Sequence, residues 1–142
     1  MSKSVVIACV LLAALAVVTG FIRLAPSDPQ IWHKMPRYAA DQDFDGAVFR
    51  IVQTGPEGLA QLHAAALATP RTKVLNGSVA GGMVTYISRS RVFGFPDYTT
   101  ARQDGDVLKV FGRARFGRQD FGVNRRRVEG WLSQIGRTAG SS

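Results

Sequence analysis

Residues 98–111 read YTTARQDGDVLKVF, with an alternating run on either side of the pair Asp104-Gly105. Asp-Gly between such runs is a strong hairpin signal, because a type I′ turn needs positive φ at both central residues. A two-residue loop at this pair aligns Thr100 with Lys109. The sequence therefore predicts an antiparallel hairpin as the centre of a sheet.

The alternation sorts the hairpin into two faces, because successive strand residues point to opposite sides. Aromatic and basic side chains share the face that we call the basic face: Tyr98, Arg102, Lys109, Phe111, Arg113 and Arg115. Small and apolar side chains share the other: Thr99, Ala101, Leu108 and Val110. We expect the second face to meet the core. The basic face is then either a binding surface or a solvated side whose arginines pair with Asp97, Asp104 and Asp120.

Elements on both sides of the hairpin complete the fold prediction. Residues 47–52 predict a strand. Residues 56–68 predict a helix with Pro56 in its first turn, where proline is favoured. Strands are predicted at 72–75 and 83–92. A last helix has one apolar stripe, formed by Val128, Trp131, Leu132 and Ile135. This order predicts an α+β fold, an antiparallel sheet with helices packed on one face.

The N-terminal segment predicts a membrane helix. Val5 to Ile22 is a run of 18 residues without a charge, and a helix of that length reaches about 27 Å, close to the hydrocarbon thickness of a bilayer. Lys3 gives a charged start, and Ala14-Leu15-Ala16 resembles the small-residue cleavage site of a signal peptide. We favour the uncleaved anchor because the apolar run exceeds the roughly 7–15 residues of a signal peptide.

The chain divides into four predicted parts: an anchor or signal at 1–24, a linker at 25–46, a domain at 47–137 and a flexible tail at 138–142. Because the linker is rich in proline and aspartate, we expect a soluble domain to begin near Pro36.

Two questions about the linker stay open at this point. Trp32 and Tyr38 are either interfacial anchors or residues that pack onto the domain. Positive charges close behind the span do not favour export of the domain. A signal-like start nevertheless favours an extracytoplasmic, periplasmic location.

Composition excludes several classes of protein. The 142 residues carry 18 Lys and Arg against 10 Asp and Glu, a formal net charge of +8, and the excess lies after residue 70. One cysteine and two histidines exclude an internal disulfide and a thiolate zinc site, and we expect no cofactor. A membrane-tethered domain without an aromatic RNA signature is not expected to bind nucleic acid.

Local motifs give little support to catalysis or metal binding. Residues 41–46 read DQDFDG, as in the start of a calcium loop, but its twelfth position is Val52 and not the bidentate Glu. We therefore expect a solvated acidic turn and no metal. His63 is a lone histidine, and Ser78 lacks the glycine of a nucleophile elbow.

A family resemblance covers the predicted domain. Residues 113–128 read RARFGRQDFGVNRRRV and follow FPDY at 95–98. This pattern resembles the domain of unknown function 1499 family over about residues 45 to 137. The resemblance implies a small domain, often attached to membranes or exported, with no assigned reaction.

The same motif supplies the candidate site. We expect Asn124 to be the N-cap of the last helix. Arg125 to Arg127 then lie in its first turn, where cations oppose the helix dipole and require a compensating anion. That anion is Asp97, Asp120 or an external phosphate or carboxylate. The anion-binding or structural candidates are Asp97, Arg113, Arg115, Arg118, Asp120, Asn124, Arg125 and Arg127.

Two functions from different classes remain. The favoured one is a membrane-tethered, non-enzymatic accessory or binding domain whose basic face meets an anionic lipid or an acidic protein. The alternative is a small enzyme that acts on an anionic substrate with Asp97, Asp120 and the arginines. A closed pocket lined by these residues favours the enzyme, and a wide basic sheet favours binding.

Overall fold

A computed structural model of the chain describes residues 1–116 and 120–139. One sheet contains six strands, β1 (Gln42–Phe44), β2 (Ala47–Gln53), β3 (Thr72–Ser78), β4 (Met83–Arg89), β5 (Pro96–Asp104) and β6 (Val107–Ala114). Every neighbouring pair is antiparallel, in the order β1-β2-β6-β5-β4-β3. The helices are α1 (Lys3–Leu24), α2 (Pro29–Trp32), α3 (Gly58–Leu67) and α4 (Val123–Ala139).

Helices α3 and α4 cover one face of this sheet, which confirms the predicted α+β architecture. The core between them consists of Val48, Leu59, Leu62, Ala65, Ala66, Val84, Tyr86, Ala101, Leu108, Val110, Val128, Trp131 and Ile135. Trp131 is only 3% exposed, and its indole N–H donates to Thr69 Oγ1 at 2.8 Å. The predicted apolar stripe of the last helix therefore packs on the sheet.

The β5–β6 hairpin has the predicted faces but a different register. Asp104 pairs with Val107, so Thr100 aligns with Phe111 and not with Lys109. Of the two residues of the predicted loop, only Gly105 has a positive φ (61°). The shift is two residues along one strand. Since side chains alternate with a period of two, such a shift leaves every side chain on its predicted face.

The second sheet face is covered by residues 25–38, which we call the arm. The Trp32 ring stacks on Tyr98 with centroids 4.1 Å apart, and Tyr38 packs edge-on against Phe49 at 5.1 Å. His33 Nδ1 lies 2.8 Å from Thr85 Oγ1. The predicted linker thus contains α2 and β1 and lies on the sheet, because this face also presents aromatic rings that must be shielded from water.

Helix α1 is long and apolar enough to cross a membrane, with a mean hydropathy of 2.9 and little burial against the protein. Its last turn is different. Ile22 is buried, Phe21 lies 6.4 Å from the Phe116 ring, and Arg23 donates to the carbonyl of Val92. The helix fits a single-pass anchor or a signal sequence, and its C-terminal end is packed into the domain.

Candidate functional site

Asp97 and Arg127 form a shielded ion pair between the sheet and α4. Asp97 lies at the start of β5 on the helix-covered face, and Arg127 Nη1 donates to its carboxylate at 3.2 Å. Each side chain is only 15% exposed. Burial raises the pKa of Asp97, with a further contribution from the negative charge of Asp120, although Arg127 acts in the opposite direction.

Asp120 caps the start of α4 through a tight turn. Phe121 and Gly122 have φ of 53° and 76°, which turns the chain so that the Asp120 carboxylate faces the helix. It accepts 2.9 Å hydrogen bonds from the backbone N–H groups of Gly122 and Asn124. Burial acts to raise the pKa of Asp120, but these bonds and one from the Asn124 amide outweigh it, and the pKa is lowered.

The predicted role of Asn124 as N-cap is wrong. The helix begins at Val123, one residue earlier, so Asn124 lies inside the first turn and is fully buried. Its amide donates to Asp120 at 2.8 Å, and its carbonyl oxygen accepts from Arg127 at 3.1 Å. Asn124 therefore joins the Asp120 cap to the Asp97–Arg127 pair.

The first-turn arginines of α4 find their acceptors within the protein. Arg127 pairs with Asp97, and Arg125 lies 4.0 Å from Glu129 one turn later. Arg126 donates to the Phe121 carbonyl at 2.9 Å. The Asp120 carboxylate also compensates the helix dipole at this end. The compensating anions at the start of α4 are therefore carboxylates of the protein itself.

Arg113 lies on the opposite sheet face, beneath the arm. It is 9% exposed and donates to Thr100 Oγ1 at 2.8 Å, to the Phe111 carbonyl at 3.2 Å and to the Trp32 carbonyl. Its guanidinium lies 4.8 Å from the Phe111 ring centre, within cation–π range. Burial lowers the pKa of Arg113 to about 10, so it remains a cation at neutral pH.

Arg115 is also held by the arm, since it donates to the Pro26 carbonyl at 2.9 Å and to the Tyr98 hydroxyl at 3.2 Å. The structure thus joins Asp97, Asp120, Asn124 and Arg127 in one network. It places Arg113, Arg115 and Arg125 outside that network. Arg118 lies outside the described residues.

A pocket of about 380 Å³ lies beside this network. Asp97 and Asp120 both line it, together with Ser90, Phe95, Ala114, Phe116, Phe121 and Val123. Among the described residues, its lining contains two carboxyl groups and no cation. Asp97 in this lining is paired with Arg127, and the described lining itself lacks the arginines of the acid-and-arginine pocket that would favour the enzyme.

The acidic turn at 41–46 is engaged by Arg50. This guanidinium bonds Asp43 at 2.8 Å and Glu129 at 3.0 Å, and Asp41 accepts from the Ile51 N–H at 2.8 Å. Within the described part of the chain, no three metal-ligating side chains are grouped for an ion.

A groove of about 470 Å³ lies where α1 meets the edge of the sheet. We call it the basic groove, and its lining is Arg23, Arg71, Thr72, Lys73, Ile87, Arg89, Ser90, Arg91 and Gly94. Five of these side chains are basic. No carboxylate of the described residues lies within 4.0 Å of any of the five.

The spacing of basic residues in the sequence is a signal for this groove. Arg71 and Lys73 are two apart, as are Arg89 and Arg91. The β3–β4 pairing, in which Lys73 aligns with Ile87, brings the two pairs together. Arg23 carries no such signal, because only the packing of α1 against the domain brings it there.

Comparison with known proteins identifies the family of this chain. The family described as protein of unknown function (DUF1499) matches residues 22–135, more than three quarters of the chain. The chain belongs to the DUF1499 family. The match starts at Ile22, whereas the resemblance in the motifs begins near residue 45. The DUF1499 unit therefore includes the arm. No curated protein matches the chain.

Proposed function

We propose that this DUF1499 chain is a membrane-tethered, non-enzymatic accessory domain that binds an anionic partner at the bilayer surface. The single observation that carries this proposal is the basic groove at the last turn of α1. It collects five cations without a neighbouring carboxylate among the described residues. Such a cluster repels itself and is stabilised by an external anion.

The position of α1 supports the membrane part of this proposal. Arg23 lies in the last turn of the apolar helix, and its side chain packs over Gly94, where an added methyl group would lie 3.0 Å from Arg23 Cγ. The loop at 90–95 therefore lies at the same level as the helix end. It exposes Val92 at 68% and Phe93 at 44%. Aromatic and apolar side chains beside a basic residue are typical of the membrane interface.

The arginines that the sequence assigned to a basic face do not support an anionic partner at that face. Arg113 and Arg115 donate to carbonyls of the arm, and Arg102 pairs with Asp104 at 2.9 Å. The support therefore moves to the basic groove. Among the described residues, the feature that favours the enzyme alternative is the pocket beside Asp97 and Asp120, but no candidate arginine of the described residues lines it.

A spin-label experiment tests the membrane position. In a Cys9→Ala background, a nitroxide at Val92→Cys in lipid nanodiscs should be more accessible to oxygen than to a water-soluble nickel chelate. The nine residues of β5 place Asp106 roughly 30 Å away at about 3.3 Å per residue, so Asp106→Cys should show the reverse. Equal, water-like accessibility at both positions would refute the surface position.

A polyanion experiment tests the binding class. In neutral detergent micelles, polyphosphate should raise the Tm of the full chain at low salt and lose this effect at high salt, because exposed charges are screened. No change at low salt would contradict an anionic partner.

The proposal includes an uncleaved anchor and an extracytoplasmic domain. The full chain should remain with membranes through alkaline extraction, whereas a released product beginning near Val17 would contradict the anchor. In spheroplasts, an impermeant maleimide should label Asp106→Cys without permeabilisation. Labelling only after permeabilisation would place the domain in the cytoplasm.

A further inference from the structure

We infer that the basic groove is a binding site for the phosphate ester of an anionic phospholipid headgroup. This inference rests on the proposed function, because it takes α1 to end at the bilayer surface. Phosphate is the anion present there, next to the last turn of the helix.

The groove keeps donors available for such a ligand. Arg71 uses its Nε to donate to the Arg89 carbonyl at 3.1 Å, and Arg89 uses one Nη to donate to the Gly94 carbonyl at 2.9 Å. An arginine has five N–H donors. The remaining guanidinium N–H groups of both side chains meet no acceptor among the described residues. Their stems are fixed by these backbone contacts, which preorganises the site.

Two further cations extend the groove toward solvent. Lys73 and Arg91 are exposed and make no side-chain hydrogen bond within the described residues. Guanidinium groups bind phosphate oxygens in a bidentate manner, and lysine adds a mobile point charge. The hydroxyl groups of Thr72 and Ser90 are engaged with Ser88 Oγ at 2.7 Å and with the Phe95 N–H at 2.9 Å, so the basic side chains supply the donors for an anion.

The depth of the groove agrees with a lipid source. Arg23 contributes from the end of the span, where long basic side chains reach the headgroup level. The exposed Val92 and Phe93 lie on the adjoining loop, at the level expected for the acyl chains below the phosphate. A volume of about 470 Å³ is within the range of small-ligand sites.

Native mass spectrometry of the full chain released from nanodiscs tests the inference. With mixed phosphatidylglycerol and phosphatidylcholine, the wild-type chain should retain one phosphatidylglycerol in preference to phosphatidylcholine. Lys73→Glu/Arg91→Glu should lower the ratio of lipid-bound to lipid-free protein by at least about tenfold, since each basic residue near a membrane contributes to anionic-lipid affinity.

A matched control has the same charge change. Lys34→Glu/Arg37→Glu replaces two exposed basic residues outside the groove, so both double variants change the net charge of +8 by four to +4. Retention in the control should stay within about twofold of wild type. Equal loss in both variants, or no loss in either, would overturn the site. Lys73→Gln/Arg91→Gln, with unchanged Tm, should give an intermediate loss and excludes misfolding as the cause.

Inorganic phosphate distinguishes the two sources of the anion. In phosphatidylcholine nanodiscs, it should raise the Tm far less than phosphatidylglycerol does. An equal rise, with displacement of phosphatidylglycerol, would overturn the lipid assignment in favour of a free phosphate. If Val92→Cys reports a membrane position while lipid retention is unaffected in the groove variant, this inference fails and the proposed membrane position stands. A water-exposed label refutes both.

Discussion

Asp120 is the residue on which the start of α4 depends. Its carboxylate serves two backbone N–H groups and the Asn124 amide. Asp120→Ala leaves these donors without their acceptor, and loss of a helix cap typically costs about 0.5–2 kcal/mol. We expect the urea midpoint to fall accordingly. Asp45→Ala removes an exposed carboxylate without a hydrogen bond among the described residues, and an equal fall there would contradict the capping role.

Gly112 is a packing requirement in the centre of the sheet. An added methyl group would lie 3.0 Å from Val128 Cγ2 and 3.4 Å from Asn124 Oδ1. Overpacking of this kind costs about 1–3 kcal/mol. Gly112→Ala should therefore lower the free energy of unfolding in denaturant titrations. Gly130→Ala in α4 meets open space and should instead stabilise by up to about 1 kcal/mol; the same sign for both would refute this account.

Trp131 connects helix α4 to the sheet and to the segment after α3. Its ring packs edge-on against Tyr86 at 5.6 Å, and its N–H bonds Thr69 in the segment after α3. Replacing a buried Trp by Ala typically costs about 3–5 kcal/mol, out of roughly 5–15 available to a domain. Trp131→Ala should leave the domain nearly unfolded, as measured by circular dichroism. Phe at this position should retain more stability, and an unchanged midpoint for Ala would place the helix elsewhere.

The arm makes stability sensitive to mild acid through His33. Burial, followed by the charge of Arg113, lowers the pKa of His33 below its ordinary value of 6.5. As the pH decreases through 6.5, the unfolded chain therefore binds a proton at His33, whereas the folded chain binds it only at a lower pH. Stability thus falls as the pH decreases from 6.5 toward the lowered pKa of the folded chain. His33→Asn keeps a polar partner for Thr85 without titrating. Its loss of Tm between pH 7 and 5 should be smaller than that of the wild type, and an equal loss would contradict the role of His33.

These elements differ in how well the sequence predicts them. The hairpin faces and the α4 stripe follow from local periodicity, which survives a two-residue error in register. The docking of the arm does not follow from local periodicity. A proline-rich segment such as 25–38 has no hydrophobic period that would indicate the face on which it packs. Arg113 illustrates the consequence. It alternates like a solvent-facing residue, yet the Trp32 carbonyl and ring cover it.

At the scale of the whole molecule, charge and anchoring occupy the same end. Among the cations of the second half of the chain, Arg127 pairs with a carboxylate, Arg113 and Arg115 donate to carbonyls of the arm, and four cations lie in the basic groove. Sequence pattern alone could identify the two basic pairs, which lie at the start of β3 and the end of β4, but not Arg23, which joins the groove through the packing of α1. Five cations without a neighbouring carboxylate among the described residues therefore lie beside the end of the apolar helix.

The boundary of the folded unit follows from the arm, and it changes the expected soluble domain. A chain beginning at Pro36 lacks Trp32, and with it the stacking on Tyr98 and an acceptor for the buried Arg113. An aromatic pair contributes about 0.5–1.5 kcal/mol and a hydrogen bond to a charged group about 1.5–3 kcal/mol. A chain beginning at Phe21 retains both contacts. We therefore expect the longer chain to unfold cooperatively and the shorter one to lose at least about 2 kcal/mol of stability or to remain unfolded. Equal denaturant midpoints for the two chains would show that the arm is dispensable and that the domain begins after it.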